Sequence, residues 1–347
     1  MLTRAALIIL LAIATVLPCA AQKRGLDIYF IDTEGGQATL IVTPAGESVL
    51  IDSGNPGTRD ASRIHHVAVD IAGLTRIDHI VTTHWHLDHY GGHGALAKMM
   101  PVKSFYDHGI PAKSIDDPDH FPALIAAYKE ASGGRSTTLR PGDTLPLKQA
   151  EGAPSVRMLT LVAVQKTIPA KPGAPVNPLS KQFRAKEKDP SDNANSLGFR
   201  LEFGGWRFLD LGDLTWNIEN RLVSPTDRIG PIDVYLTTHH GLELSNNPVL
   251  IRTVSPRVAI FNNGPRKGGH PDVTRTLRAL PDIRDIWQLH RNLTCDTSMN
   301  APRKRIANWD EECKAEFIKL SVAPDARSYM VQIGPDGKPE TYATRAR

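Results

Sequence analysis

The segment Thr83-His84-Trp85-His86-Leu87-Asp88-His89-Tyr90-Gly91-Gly92 gathers four side chains that can bind metal into six consecutive positions. His84 and His86 project to the same side of an extended segment, because side chains alternate between the two faces of a strand. Asp88 and His89 follow where the chain turns toward a helix, so they can present ligands to a neighbouring point. Two such pairs suit two metal ions that hold substrate and activate water at neutral pH. A His-rich surface loop is the alternative interpretation, but it would not need this spacing.

The segments around this motif alternate between strand and helix patterns. Runs rich in β-branched and aromatic residues predict strands at 26–31, 37–42, 48–51, 77–82, 102–106, 196–203, 206–211 and 232–237. Helical spacing predicts helices over 61–74 and 92–99. Residues 168–192 are rich in Pro, Lys and Ser and predict a long loop. Strands that alternate with helices on this scale indicate an α/β fold.

Two pairs of segments repeat in the same order. Residues 38–54 resemble 196–212, and residues 77–84 resemble 232–239 at nearly the same offset along the chain. The repetition predicts two similar halves, which would bring the Thr-Thr-His ends of the second pair to one shared edge.

Composition narrows the class of protein. The chain has 347 residues, of which 41% are hydrophobic and 22% charged, so extensive disorder, collagen and a coiled coil are excluded. The net charge of +4 does not indicate a nucleic-acid partner. Nothing in the sequence indicates the oligomeric state, and a small molecule or a phosphodiester is the expected partner.

The first 21 residues have the pattern of a secretory signal peptide. Arg4 precedes an apolar run from Ala5 to Leu17. A stretch of small residues follows and ends at Ala21, as is typical of a signal-peptide cleavage site. We expect cleavage after Ala21, export to the periplasm or medium, and no stable membrane anchor afterwards. The run is shorter than the ~20 apolar residues of a transmembrane helix, although an uncleaved anchor is the alternative.

Two further cysteines, Cys295 and Cys313, lie near the end of the chain. An even number of cysteines in an exported protein favours a disulfide bond between them. We expect residues 291–347 to form a C-terminal extension that carries this bond and closing strands.

The His-x-His-x-Asp-His motif strongly resembles the signature of the metallo-β-lactamase superfamily of dinuclear hydrolases. Further stretches resemble the branch that contains the ComEC/Rec2-type hydrolase domain and phosphorylcholine esterase. These stretches are residues 30–38, 50–54, 195–197, 211–213, 239–241 with Ser245, and 269–271. The resemblance implies an α/β fold of the αββα four-layer sandwich type, with the hydrolase domain over residues 22–290.

The resemblance also implies a ligand set for two divalent metal ions, with zinc favoured by the ligand types and manganese or iron also accepted. One ion would bind His84 and His86, and the other would bind Asp88 and His89. The remaining positions would be a bridging Asp213, His240 as the last ligand, and His239 facing the substrate. The internal repeat argues for the reverse order of this histidine pair, because it aligns His239 with His84.

Three more positions carry expectations. Asp52 would orient a ligand histidine, or would simply stand in a turn. Lys267 and His270 would donate to an anionic substrate at the start of a helix. Asn195 stands where many members of the superfamily supply a third histidine to the first metal, so that metal would have fewer protein ligands.

The resemblance implies an exported enzyme in which a metal-bound hydroxide, oriented by Asp88, attacks a phosphodiester or a phosphorylated conjugate. Two alternatives stay open. One is a lactonase or β-lactamase, which would favour an apolar pocket. The other is a non-catalytic exported protein that binds a metal or a ligand.

Overall fold

The chain folds around two β-sheets in a computed structural model that describes residues 24–346. The predicted signal peptide, residues 1–21, lies outside the described residues. The described strands are β1 Leu26–Phe30, β2 Thr39–Val42, β3 Ser48–Ile51, β4 Ile77–Val81, β5 Val102–Asp107, β6 Thr137–Thr138, β7 Val156–Ala163, β8 Lys166–Thr167, β9 Gly198–Phe203, β10 Trp206–Asp210, β11 Val234–Leu236, β12 Val258–Phe261, β13 Asp285–His290, β14 Ile306–Asn308, β15 Ile318–Val322, β16 Ser328–Ile333 and β17 Glu340–Ala343.

The first sheet has the order β17-β16-β15-β1-β2-β3-β4-β5-β6, and the second has the order β14-β13-β12-β11-β10-β9-β7-β8. Helices connect and cover the strands. They are α1 Arg59–His66, α2 Leu87–Tyr90, α3 His93–Met99, α4 Phe121–Ala131, α5 Trp216–Val223, α6 Pro248–Val254 and α7 Pro271–Arg278.

Three hydrophobic clusters show how these elements are layered. The largest combines buried residues of both sheets, such as Ile28 and Val49 with Phe199 and Phe208, so the sheets pack face to face. A second cluster joins the outer face of the second sheet to helices α5, α6 and α7. A third joins the outer face of the first sheet to α1, α3 and α4. Helices therefore cover both outer faces, and the fold is the predicted αββα sandwich.

The internal repeat corresponds to a repeated strand order. In the first sheet β2 pairs antiparallel with β3, and β3, β4 and β5 then run parallel. In the second sheet β9 pairs antiparallel with β10, and β10, β11 and β12 then run parallel. The two Thr-Thr-His segments follow β4 and β11, which hold the same place in the two halves.

Two predicted segments differ in detail from the structure. The helix predicted over 61–74 is α-helical only to His66 and continues as a π-helical turn, Val67–Ile71. The loop predicted over 168–192 contains a 3₁₀ turn, Pro178–Gln182, and a second 3₁₀ turn, Asp192–Asn195, begins at its end. Within residues 24–346, none of the helices combines the length and the apolar character that crossing a bilayer requires.

The end of the chain belongs to both sheets. Strand β14 extends the second sheet, whereas β15 pairs antiparallel with β1 and is followed by β16 and β17 in the first sheet. Residues 306–343 therefore tie the last part of the chain to its first strand.

The predicted disulfide bond is wrong, because Cys295 and Cys313 are free thiols. Sγ of Cys295 lies 3.8 Å from the carbonyl oxygen of Asn292, whereas Sγ of Cys313 lies 3.2 Å from Oδ2 of Asp32. Amide hydrogen bonds hold the irregular segment instead: the backbone N–H of Asn292 donates to Oδ1 of Asn300 at 2.6 Å.

Candidate metal centre

The predicted ligands meet at one edge of the sandwich because they follow the carboxyl ends of parallel strands. Asp52 follows β3 and His84 follows β4 in the first sheet, while Asp213 follows β10 and His240 follows β11 in the second. The carboxyl ends of parallel strands are where open α/β sheets place their ligand sites. Since the two sheets pack face to face, both sets of side chains point into one region between them.

Four side chains form a compact cluster in this region: Asp88, His89, Asp213 and His240 each offer a ligand atom, and these atoms lie within 4.8 Å of one another. Nε2 of His89 and Nε2 of His240 are each 3.2 Å from Oδ2 of Asp213. Nε2 of His240 is also 3.4 Å from Oδ2 of Asp88. Zinc–nitrogen bonds of about 2.0–2.1 Å place tetrahedral ligand atoms roughly 3.3 Å apart, so the cluster has the dimensions of a cation site.

His84 and His86 lie beside this cluster, with the ring centroids of His84 and His89 4.1 Å apart. Nε2 of His84 is 4.0 Å from Oδ2 of Asp213, and the ring centroids of His84 and His86 are 4.6 Å apart. The structure thus brings all six predicted metal ligands to one place, and histidines of both predicted pairs approach Oδ2 of Asp213.

Unpaired buried atoms test whether this place suits metal ions. Among the described residues, Nε2 of His84 and Oδ1 of Asp213 are buried without a hydrogen-bond partner. An unpaired buried polar atom costs free energy, so such atoms need an explanation. An imidazole nitrogen and a carboxylate oxygen are ligands of divalent cations, and the donor set therefore fits the predicted metals.

A left-handed backbone turn brings His240 into the cluster. His239 and His240 both have φ of 54°, and Gly241 has φ of 79°. His239 also lies near the bridging position, with Nε2 3.4 Å from Oδ2 of Asp213. The repeat aligns His239 with His84, but this turn carries the next residue to Asp88 and His89. Burial lowers the pKa of His239 to about 4, so its ring is neutral at physiological pH.

Asp52 contacts the ring nitrogen of His89 that faces away from Asp213. Its Oδ2 lies 2.8 Å from Nδ1 of His89 and accepts a hydrogen bond from the hydroxyl of Thr83 at 2.6 Å. Its Oδ1 accepts from the backbone N–H of Thr83 at 2.8 Å. A carboxylate that binds one ring nitrogen fixes the other nitrogen toward a metal, so Asp52 leaves Nε2 of His89 aimed at Asp213.

The electrostatics of the cluster favour positive charge at its centre. Burial opposes ionisation of Asp213, but His240, His89 and His239 outweigh it and hold its pKa well below the ordinary value. Burial likewise opposes the charged form of His89, yet Asp213, Asp88 and Asp52 raise the pKa of this ring well above the ordinary value.

The two predicted substrate contacts take different positions. Nζ of Lys267 lies 2.5 Å from Oδ2 of Asp88, so it forms an ion pair with a predicted ligand at the edge of the cluster. His270 is half-buried and stands at the N-cap of α7, where its Nδ1 accepts from the backbone N–H of Asp272 at 3.3 Å. The backbone N–H of His270 also donates to the carbonyl of Gly241, which places it beside the left-handed turn.

Sequence reasoning missed two groups near the site. Asp116 and Asp192, from two different loops, contact the His84–His86 segment. No pattern in the sequence marks them, because acidic residues are ordinary in loops.

The second group is the cluster of Asp32, His290 and Cys313, in which Asp32 and His290 are buried and Cys313 is partly buried. Oδ1 of Asp32 lies 2.7 Å from Nε2 of His290, and its Oδ2 pairs with Arg63 at 3.1 Å. Both carboxylate oxygens of Asp32 are thus already partnered, which is typical of a structural network.

Comparisons with known proteins find similarity to metal-dependent hydrolases. Residues 31–163 match the sequence profile of the metallo-beta-lactamase superfamily. The chain is 27% identical over 262 residues to a UPF0173 metal-dependent hydrolase of Anaeromyxobacter dehalogenans strain 2CP-C, covering 72% of this chain and 81% of the relative. It is 27% identical over 279 residues to the UPF0173 metal-dependent hydrolase of strain 2CP-1, covering 77% of this chain and 86% of the relative.

Among solved structures, the metallo-beta-lactamase fold protein YhfI from Bacillus subtilis aligns with a TM-score of 0.44 and 12% identity. The alignment covers 76% of this chain and 95% of that protein. The profile match over residues 31–163 includes the complete His-x-His-x-Asp-His motif.

Proposed function

We propose that the chain is an exported, dinuclear metal-dependent hydrolase that cleaves phosphodiesters or phosphorylated conjugates. The superfamily match and the four-ligand cluster support the class, a metal-dependent hydrolase. The signal-like residues 1–21 support export, and the resemblance to the ComEC/Rec2-type and phosphorylcholine esterase branch supports the choice of phosphorus as the centre attacked.

The observation that carries the proposal is the position of Asp213 among the predicted ligands of both metals. Its Oδ2 lies within 4.0 Å of ring nitrogens of His84, His89 and His240, and its Oδ1 is buried without a hydrogen-bond partner in the described part of the chain. The two oxygens of one carboxylate can serve two cations. Bound there, the cations would supply the Lewis acidity that activates water and stabilises charge on the phosphoryl oxygens.

Protein groups at the rim would hold the anionic substrate. Lys267 is partly exposed, and its Nζ lies beside the carboxylate of Asp88. His270 and the start of α7 lie next to the His239–His240 turn. Charge-assisted hydrogen bonds from such donors are stronger than neutral ones, so this rim favours a phosphodiester over an uncharged lactone.

A substrate panel tests the proposal. The zinc-loaded protein should hydrolyse bis-p-nitrophenyl phosphate faster than an acyl-homoserine lactone or a cephalosporin, and chelation should abolish the rate. Good turnover of the lactone or the cephalosporin without phosphodiesterase activity would contradict the choice of substrate. Inactivity toward all three would contradict the assignment as an enzyme of these substrate classes.

The role of His270 needs a variant that keeps the helix intact. His270→Asn preserves a side chain suited to the N-cap of α7 and removes the imidazole. We expect turnover of the phosphodiester to fall at least tenfold with unchanged metal content. Unchanged turnover would remove His270 from the substrate-binding groups.

A further inference from the structure

We propose that Asp116 is a positioning residue for the first metal site, where it fixes the ring of His86 and compensates for the missing third histidine. This inference rests on the dinuclear site of the proposed function. The sequence offers Asn195 where many superfamily members supply that histidine, so the first site depends on His84 and His86 together with Asp213.

The contact that supports this role is direct. Oδ2 of Asp116 lies 3.1 Å from Nε2 of His86. An imidazole has two nitrogens, and the one held by a carboxylate donates its proton there. Nδ1 of His86 is then the nitrogen left to bind a cation. Asp52 and His89 show the same arrangement in the second site, with the roles of the two nitrogens exchanged.

A second loop holds Asp116 in place. The backbone N–H of Asp192 donates to Oδ2 of Asp116 at 2.8 Å. The carboxylate of Asp192 in turn accepts from the backbone N–H of Trp85 at 2.7 Å, between the two ligand histidines. Its Oδ2 also lies 3.2 Å from Nε2 of His108.

These contacts connect three separate segments of the chain. The turn that contains Asp192 ends at Asn195, and Nδ2 of Asn195 donates to Oδ1 of Asp192 at 2.9 Å. The segment that lacks the third histidine therefore supplies a carboxylate network instead. This network acts on the backbone of Trp85 and, through Asp116, on the ring of His86.

The two sites differ in how much they depend on this support. In the second site His89 and His240 are fully buried and Asp52 holds the ring of His89, whereas His86 is only partly buried and Asp116 is its carboxylate partner. Loss of a carboxylate that orients a ligand histidine lowers metal affinity by roughly 10- to 100-fold. We expect loss of Asp116 to weaken one of the two metals and to leave the other unchanged.

The test measures zinc bound per chain across a series of free-zinc buffers. The wild type should show two binding steps. Asp116→Ala should shift the weaker step by at least tenfold, and Asp116→Asn, which keeps an acceptor oxygen, should restore part of that affinity. Asp119→Asn is the matched control, because Asp119 is an exposed aspartate of the same loop.

Each outcome decides the inference. If Asp116→Ala keeps both zinc affinities, if both steps weaken equally, or if the wild type binds a single zinc, the inference is wrong. Unchanged thermal unfolding of the metal-free variant separates positioning from a loss of fold. If the shift is found but no phosphodiester is cleaved, the substrate proposal fails while the role of Asp116 stands.

Discussion

Asp213 is the residue on which the candidate site converges, because its Oδ2 lies within 4.0 Å of nitrogens from four histidines. Asp213→Ala should therefore reduce bound metal from two ions per chain to none, as measured by elemental analysis after gel filtration. Asp210→Asn is the control, since Asp210 is equally buried on the same strand end but contacts Gln37 and Gly212 instead. Full metal content in the Asp213 variant would mean that the bridging position is misassigned.

His93, which is not a predicted metal ligand, should make the free energy of unfolding depend on pH. Burial lowers the pKa of His93 to about 3, and its Nε2 lies 2.8 Å from the hydroxyl of Thr82. The unfolded chain takes up this proton near pH 6.5, whereas the folded chain resists it. The free energy of unfolding should therefore fall as pH drops from 6.5 toward 3, by at most about 1.4 kcal/mol per pH unit from this group.

His93→Gln should reduce that slope in urea titrations at a series of pH values. His120→Gln serves as the control, because 67% of the His120 side chain is exposed. Equal slopes in the wild type and the His93 variant would show that His93 does not resist protonation in the folded state.

At the residue scale, the sequence predicted the ligand set and one orienting group, Asp52, but not Asp116 or Asp192. His84, His86, Asp88 and His89 stand out because they share a few consecutive positions. Asp116 and Asp192 could not be recognised, since their contact with the motif depends on how two long loops fold back. The choice between His239 and His240 depended on a backbone turn that the repeat alone does not reveal.

At the scale of elements, the loop before α7 supports the ligand turn. Gly268 has φ of +82°, and a Cβ there would lie 2.1 Å from the carbonyl oxygen of His240. Gly268→Ala should displace that backbone and lower metal affinity at least tenfold without removing any ligand. Gly173→Ala is a matched control, because Gly173 has a φ of +72° but open space around its Cβ position. Equal zinc affinities in the two variants would contradict this support.

The turn after β1 supplies a second prediction at this scale. Asp32 is fully buried and pairs with His290 and Arg63, so it joins the first strand to the end of β13. Asp32→Ala leaves His290 without its carboxylate and Arg63 with Glu34 alone among the described carboxylates, and breaking such a buried pair costs about 3–5 kcal/mol. Denaturant unfolding should detect this loss. Cys313→Ser, which keeps a donor to Asp32, should change stability by less than about 1 kcal/mol; a similar loss in both variants would contradict the role of the ion pairs.

Strand prediction succeeded where short β-branched runs were bounded by turns, as in 48–51 and 77–82. Helix prediction did not locate the end of the first α-helix, because residues 67–71 continue it as a π-helical segment. The disulfide prediction failed for a different reason. Cysteine number and compartment say nothing about side-chain surroundings, and Cys295 and Cys313 face different partners.

At the scale of the whole molecule, the candidate site draws ligands from both sheets. A ligand that binds only the folded state stabilises it by about 2.7 kcal/mol at 100 times its dissociation constant. The unfolding temperature should therefore rise with free zinc and fall on chelation, as followed by scanning calorimetry. Asp213→Ala should show no such rise. Zinc-independent unfolding of the wild type would contradict a site that spans the two sheets.

The internal repeat predicted this shared edge, since it placed His84 and His239 at equivalent strand ends. The repeat could not predict that β15, β16 and β17 return to the first sheet, because their sequences carry no trace of it. That return depends on pairing between β1 and β15, which lie nearly the whole length of the chain apart.

Because the ligands are divided between the two sheets, the chain could be divided into two fragments that each carry part of the metal site. The turn at residues 151–152 is exposed and separates the last strand of the first half, β6, from β7. A fragment ending there would hold His84, His86, Asp88 and His89, while the other would hold Asp213 and His240 together with β15, the partner of β1. Neither fragment alone has the full set, so tight zinc binding would report that the two had met, as in a split-protein reporter.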